Sequence, residues 1–142
     1  MRNVECGSAL KPVPLGDNMP DVVVVGSGIA GLFVAVRCAR AGLDTIVVTK
    51  KALADSSTNW AQGGIAAVLD PLDEEGLEAH VNDTIAAGCG LADEEVVRMV
   101  VNEAAGRIGD LIEAGVKFQH DEDGYDMARE GGHSSDRILH AK

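Results

Sequence analysis

Three glycines carry the sharpest chemical signal in this chain: Gly26-Ser27-Gly28-Ile29-Ala30-Gly31 is a GxGxxG run. Glycine at these spacings removes the Cβ wherever a backbone must come close to something else. Gly26 permits a tight turn, Gly28 lets a pyrophosphate approach the main chain, and Gly31 lets a helix pack closely on a strand. Ser27, Ile29 and Ala30 add main-chain N–H groups at the start of that helix, where unpaired donors and the helix dipole favour an anion. The chemistry expected is dinucleotide binding. Charge narrows how it is done: 12 Lys and Arg against 23 Asp and Glu give a formal net charge of −11. A phosphate must then be held by backbone donors rather than a basic patch. Nucleic acid and anionic membrane are excluded as partners, because binding them needs clustered Lys and Arg.

A glycine motif means little without its frame, and the frame is present. Residues 21–25 read Asp-Val-Val-Val-Val between Pro20 and Gly26, which predicts a strand buried on both faces, as in a parallel sheet. Residues 29–41 are mostly helix formers, and Gly42 stands where a helix C-terminal glycine belongs. A second β-branched run, residues 45–49, closes a strand–turn–helix–strand unit. The usual companion of such a unit is an acidic residue at the end of the second strand, which binds the ribose hydroxyls. Thr49 and Lys50 stand there instead. That argues against a plain NAD dehydrogenase; Lys50 suits either a 2′-phosphate, as in NADP, or a variant FAD site.

Beyond this unit, residues 50–69 are rich in Ser, Asn, Gln and Gly and predict an extended loop with a short helix around Trp60. A loop of that length in a compact domain usually has a task. Residues 74–87 predict a helix with Leu77, Val81 and Ile85 on one face. A second helix follows, N-capped by Asp93, with Val97, Val100, Val101, Ala104, Ile108, Leu111 and Ile112 as its apolar stripe and Gly115 as its end. Residues 116–118 read as a short strand, 120–124 as an acidic turn, 129–134 as a polar glycine-rich loop, and 137–142 as the start of a helix. The first 20 residues carry Pro12, Pro14 and Pro20 and no apolar core of a secretory signal; they are expected to form a flexible tail, with one domain over residues 21–142. No stretch has the roughly 18 apolar residues of a membrane span. Cys6, Cys38 and Cys89 are too widely spaced for a disulfide framework or a zinc site, and free thiols suit a reducing compartment, so a cytoplasmic location is expected. Cys38, inside the first helix, reads as a small core residue.

The run Ser56-Ser-Thr-Asn-Trp-Ala-Gln-Gly-Gly-Ile-Ala-Ala67 resembles the flavin loop of the succinate dehydrogenase/fumarate reductase/L-aspartate oxidase flavoprotein family. Thr49-Lys50 matches the Ser-Lys or similar pair of that family, and the resemblance extends over residues 21–142. It implies an α/β fold: a Rossmann-like FAD-binding βαβ unit with following helices, part of an incomplete three-layer FAD/NAD(P)-binding domain. It also implies that the loop runs beside the FAD diphosphate and isoalloxazine. Ser57, Thr58 and Asn59 would then hydrogen-bond phosphate or ring atoms, Trp60, Ala61 and Gln62 would line the site, and Gly63 and Gly64 would bring main-chain N–H groups close to the ring. Succinate dehydrogenases carry, at the position of Ser57, the histidine that bonds covalently to FAD. Serine there implies noncovalent FAD.

Further along, Arg129-Glu130-Gly131-Gly132-His133-Ser134 and Arg137-Ile138-Leu139-His140-Ala141 resemble the aspartate-oxidising branch of the family. Members that act on succinate or fumarate carry an apolar residue, often Phe, before the Gly-Gly pair. Aspartate differs from succinate by an ammonium group, which a carboxylate near C2 favours while rejecting plain succinate. Glu130 is therefore the expected substrate-orienting residue. His133 and His140 fit the motif but are assigned no catalytic role, and no metal is indicated. Ser135-Asp136 stand where that branch carries His-Arg or similar. The resemblance implies oxidation of L-aspartate to iminoaspartate with O2 or fumarate as electron acceptor. The product would feed quinolinate synthesis, with quinolinate synthase as a partner. It places the proton-transfer arginine, the residues gripping the substrate carboxylates, and the capping and C-terminal helical domains beyond position 142. The 142-residue chain alone is accordingly expected to be inactive and to bind FAD weakly or not at all. Two other readings stay open: a fumarate reductase or succinate dehydrogenase flavoprotein, and a truncated, non-enzymatic product that binds a nucleotide or a partner protein.

Overall fold

A computed structural model describes residues 2–5, 19–61, 63–122 and 124–141; the expected loop residue Gln62 lies outside the described residues. Where the length argued for one domain, the chain divides into two compact units, Met1–Ala61 and Gln62–Lys142.

The first unit is a parallel three-stranded sheet with one crossover helix. Strand β1 (Arg2–Glu5) pairs with β3 (Thr45–Thr49), which pairs in turn with β2 (Val22–Val25). The register runs from Val22 opposite Thr45 to Val25 opposite Val48. Helix α1 (Ile29–Arg40) connects β2 to β3. It ends as expected at Gly42, whose φ is +85°; Gly42 N donates to Ala39 O and Leu43 N to Cys38 O, the pair of bonds that closes a helix on a left-handed glycine. A four-residue helix, α2 (Ser57–Trp60), is the turn expected around Trp60.

Two expectations change in this unit. Residues 2–5, read as part of a flexible tail, pair in parallel with β3, from Arg2 opposite Ile46 to Glu5 opposite Thr49. Parallel pairing is made by main-chain groups that every residue carries, so the side chains of an Arg-Asn-Val-Glu segment give no notice of it. Strand β2, expected to be buried on both faces, is buried on one. Val24 packs with Ala35 and Val47, whereas Val23 and Val25 are 55% and 83% exposed. A single helix can cover only one face of a sheet.

The second unit pairs two helices with a small antiparallel sheet. Helices α3 (Glu74–Ala87) and α4 (Glu94–Glu113) fall where the apolar spacing put them. Asp73 caps α3 through Gly76 N, and Asp93 caps α4 through Glu95 N and Val96 N; each such cap contributes about 1 kcal/mol. Gly115, at φ +102°, ends α4: Gly115 N donates to Ile112 O and Val116 N to Leu111 O. Of the α4 stripe, Val101 and Ile108 are buried and Val100 is exposed. The core joins Ala67, Ile108, Phe118 and Leu139, with Ala104, Leu111, Val116 and Met127 against them.

The sheet has the order β4 (Ile65–Ala66), β6 (Ile138–Leu139), β5 (Met127–Ala128). Residues 137–142 were expected to start a helix; 138–139 are instead the central strand, antiparallel to both neighbours. Six residues are too few to display a period, and the pairing that decides them lies far away in sequence. Arg137, Ile138 and Leu139 are all buried, a run no amphipathic helix start would bury. Residues 116–118 form no strand: Phe118 makes an isolated bridge to Ala141 and spends its ring in the core.

Candidate functional site

In the first unit the glycine turn has the geometry its spacing demanded. Gly26, at φ +106°, lets the chain leave β2, and its N–H donates to Val48 O at 2.8 Å. A Cβ on Gly31 would collide with the carbonyl oxygen of Gly26 and lie 3.3 Å from Val24 Cγ1. Only glycine lets α1 start this close to the strand. Gly28 is the N-cap of α1 and has no side chain of its own with which to cap the helix. The first turn of α1 has no acidic residue, while Arg37 and Arg40 occupy its last turn. That distribution leaves the positive end of the helix dipole for an outside anion.

Ser27 and Thr49 are both buried, and their hydroxyls lie 3.1 Å apart. The pair ties the glycine turn to the end of β3, the place where an acidic ribose ligand usually stands. Ser27 thus gives its side chain to the protein. Ile29 and Ala30 are exposed at the helix start, and Ile29 N donates to Thr58 Oγ1 at 3.0 Å. Through that bond α2 is joined to the turn, and a Cβ on Gly28 would meet Thr58 Oγ1 at 3.4 Å. Lys50, Lys51, Asp55, Ser56, Ser57, Trp60 and Ala61 line an open cleft of about 440 Å³. Within it Lys51 Nζ lies 3.2 Å from Asp55 Oδ2, and Trp60 Nε1 donates to Asp55 Oδ1 at 3.4 Å. Those two bonds, that from Lys51 the larger, hold the Asp55 carboxyl below its usual range. Asn59 is exposed on α2. The arrangement fits a dinucleotide: a main-chain cradle that a Cβ would fill, a helix start whose N-cap is a glycine and whose first turn has no acidic residue, and a lysine-bearing cleft in the same unit.

In the second unit Gly63, Gly64 and Glu130 come together, and a fourth residue joins them. Glu130 is exposed on the loop between β5 and β6. A Cβ on Gly63 would lie 3.2 Å from Glu130 Oε2, so glycine at 63 makes room for that carboxylate. Gly64 sits at φ +69°, and a Cβ there would collide with Leu139 O and come within 3.0 Å of His140 Cδ2. His140 Nε2 lies 3.8 Å from Glu130 Oε1. Sequence reasoning left His140 without a role; only the run Arg137-Ile138-Leu139-His140 hinted at it.

The loop that carries Glu130 is clamped to α3. Asp83 Oδ2 accepts from Ser134 N, Ser134 Oγ and Arg137 Nη1, each at 2.7 Å. Arg137 is 2% exposed, and its Nη2 donates to Ser135 Oγ at 2.6 Å and Ser134 Oγ at 3.2 Å. The Ser134 main chain and hydroxyl, then Arg137, pull the Asp83 pKa from 3.8 down to about 2. His80 is buried on the same helix, its ring 5.7 Å from that of His133. Burial, then the Arg137 guanidinium and His133, lowers its pKa from 6.5, so His80 is neutral at pH 7. Asp136 Oδ1 accepts from Arg129 Nε at 2.8 Å; the departure from the branch pattern at 136 neutralises the arginine beside Glu130. Asp83 and His80 escaped the sequence reading because Asp83 meets Ser134 across 51 positions.

Comparison with known proteins identifies the family. A family model for an FAD binding domain matches residues 21–142. The chain is 50% identical over 131 residues to the L-aspartate oxidase of Streptomyces coelicolor, covering 92% of this chain and 22% of that protein. It is 53% identical over 122 residues to L-aspartate oxidase 2-b, chloroplastic, of Nicotiana tabacum, covering 85% and 18%. Among solved structures, the Sdh1 complex of Mycobacterium smegmatis in its apo form matches with a TM-score of 0.76 at 32% identity, over 85% of this chain and 21% of that one. Quinol-fumarate reductase with menaquinol molecules matches with a TM-score of 0.74 at 27% identity, over 98% and 22%. The chain spans about a fifth of the length of the relatives it matches. A glycine turn built for a dinucleotide, a following Ser/Gly loop and these likenesses lead to one assignment: the chain belongs to the FAD binding domain family, among the succinate dehydrogenase and fumarate reductase flavoproteins, and its cofactor is FAD.

Proposed function

We propose that this chain is the FAD-binding, substrate-orienting N-terminal portion of an L-aspartate oxidase, which converts L-aspartate to iminoaspartate. The observation that carries the reading is the Glu130 carboxylate, exposed over Gly63 and directly before Gly131-Gly132. An ammonium at C2 is the feature that separates aspartate from succinate, and a carboxylate selects for it. The names of relatives at 50% and 53% identity support the same substrate.

FAD, when bound, supplies a two-electron acceptor for the hydride leaving the substrate Cα. The residues of the chain hold and orient. The N–H groups at the start of α1 grip the pyrophosphate, with Gly26, Gly28 and Gly31 giving it access. Lys50 stands on the ribose side, and Ser57, Thr58, Asn59, Trp60 and Ala61 flank the cofactor, with Gln62, Gly63 and Gly64 completing the loop. Ser57 has no ring nitrogen to bond the flavin, so FAD is held noncovalently. Glu130 fixes the substrate ammonium. On this reading O2 or fumarate would serve as the final electron acceptor, and the product would pass to quinolinate synthase on the way to NAD in a reducing, cytoplasmic setting. On this reading the 142-residue chain by itself is catalytically inactive.

The structural likeness to quinol-fumarate reductase supports a second reading, a dicarboxylate reductase. Glu130→Gln in the full-length protein separates the two. The substitution keeps the size and removes the charge. Loss of one charge-assisted contact, about 1.5–3 kcal/mol, lowers kcat/KM for aspartate roughly 10- to 100-fold while succinate binding changes little. Aspartate turnover intact in Glu130→Gln defeats the oxidase reading.

A further inference from the structure

Glu130 shares its place with a group that can change charge. The antiparallel register of β4 on β6, Ile65 opposite Leu139, sets Gly64 beside His140, within the 3.0 Å contact a Cβ would make. Gly63, one residue earlier, makes room for the Glu130 carboxylate, which ends 3.8 Å from His140 Nε2. Both side chains reach solvent: His140 is 28% and Glu130 47% exposed. The other charges of the loop are committed elsewhere, Arg129 to Asp136 and Arg137 to Asp83. Around the His140 main chain, its carbonyl accepts from Gln119 N at 2.8 Å, and Phe118 bridges Ala141. Among the described residues, Glu130 is the acidic group within ion-pairing distance of His140.

We propose that His140 is a specificity-determining partner of Glu130, one that decides how much of the carboxylate's charge is left for the substrate. Neutral, the imidazole leaves the carboxylate to the ammonium of aspartate. Protonated, it pairs with Glu130 and competes with that ammonium. Histidine changes charge between about pH 5 and 8, so preference for aspartate over a dicarboxylate without the ammonium falls as pH falls through this range. The inference rests on Glu130 being the ammonium ligand, and its test keeps the two apart.

The experiment compares full-length wild type, His140→Gln and Glu130→Gln, with flavin absorbance certifying each fold. The quantity is the ratio of the aspartate KM to the succinate Ki between pH 5.5 and 8. Using the ratio cancels groups that act on both ligands alike, and a merely structural histidine would not move its pH dependence. In the wild type the ratio rises roughly fivefold or more on going to pH 5.5, because a protonated imidazole paired with Glu130 competes with the substrate ammonium. In His140→Gln it changes less than about twofold, because glutamine has no charge to gain. His140→Asn serves as the second variant where His140→Gln loses flavin. A His140→Gln enzyme that keeps the wild-type pH dependence overturns the role of His140 while leaving Glu130 standing, provided that Glu130→Gln has lost its preference for aspartate. A Glu130→Gln enzyme with undiminished aspartate preference removes the Glu130 reading itself, and His140 falls with it.

Discussion

Asp83 shows how one residue can set a loop it does not belong to. Its Oδ2 gathers a main-chain N–H, a hydroxyl and a guanidinium within 2.7 Å, and the loop so gathered begins with Glu130. The folded-state pKa of Asp83 lies near 2 against 3.8 for the free group. A carboxylate depressed in this way contributes stability that is present above its unfolded pKa and lost as pH falls through its folded pKa. Asp83→Asn is therefore expected to lower the melting temperature of the full-length protein at pH 5–7. The gap to wild type should close between about pH 4 and pH 2. A gap that stays constant down to pH 2 would show that the charge of Asp83 is irrelevant to the clamp. At this scale the sequence was legible where residue type and spacing carry the geometry: the three glycines of the turn at Gly26, Gly28 and Gly31. It was silent on Asp83, His80 and His140, whose roles come from neighbours placed by the fold. No local pattern marks a buried histidine such as His80, neutral because burial disfavours its charged form.

At the level of elements, the helices declared themselves and the short strands did not. Helices α3 and α4 carry local caps and an apolar period of three and four, signals contained within the segment. Strands of two residues, β4, β5 and β6, contain no period at all and exist by pairing. Glycine separates the two cases experimentally. Gly64 is pressed against β6 at φ +69°, where a Cβ would collide with Leu139 O and come within 2.8 Å of Ile138 Cγ2. Gly64→Ala should destabilise by about 1–3 kcal/mol through overpacking and backbone strain. Gly106 and Gly109 lie inside α4, and a Cβ on either meets nothing within 4 Å. Gly106→Ala or Gly109→Ala should stabilise by up to about 1 kcal/mol, the helix propensity difference. Urea denaturation of the full-length variants checks both; equal effects at positions 64 and 106 would refute the packing assigned to β4 and β6.

For the whole molecule, burial is unevenly met. The first unit covers one face of its sheet with α1 and leaves Val23 and Val25 exposed at 55% and 83%; in the second, Val96, Met99 and Val100 of α4 are more than half exposed. A sheet needs a packed layer on each apolar face, and the relatives are about five times longer than this chain. The 142-residue chain on its own is therefore expected to elute from gel filtration without flavin and to form no peroxide from aspartate. Stoichiometric flavin absorbance together with aspartate-dependent peroxide would refute this. The sequence by itself determined the dinucleotide turn, the two long helices with their caps, and the acidic residue before Gly131-Gly132. Each of these depends on groups within a few positions of one another. The tertiary structure alone decided the parallel edge at residues 2–5, the strand in place of a helix at 138–139, the Asp83–Arg137 clamp and the meeting of His140 with Glu130. These depend on contacts between segments that are remote in sequence, and the free energy of such contacts is settled only when the chain has closed the intervening loops.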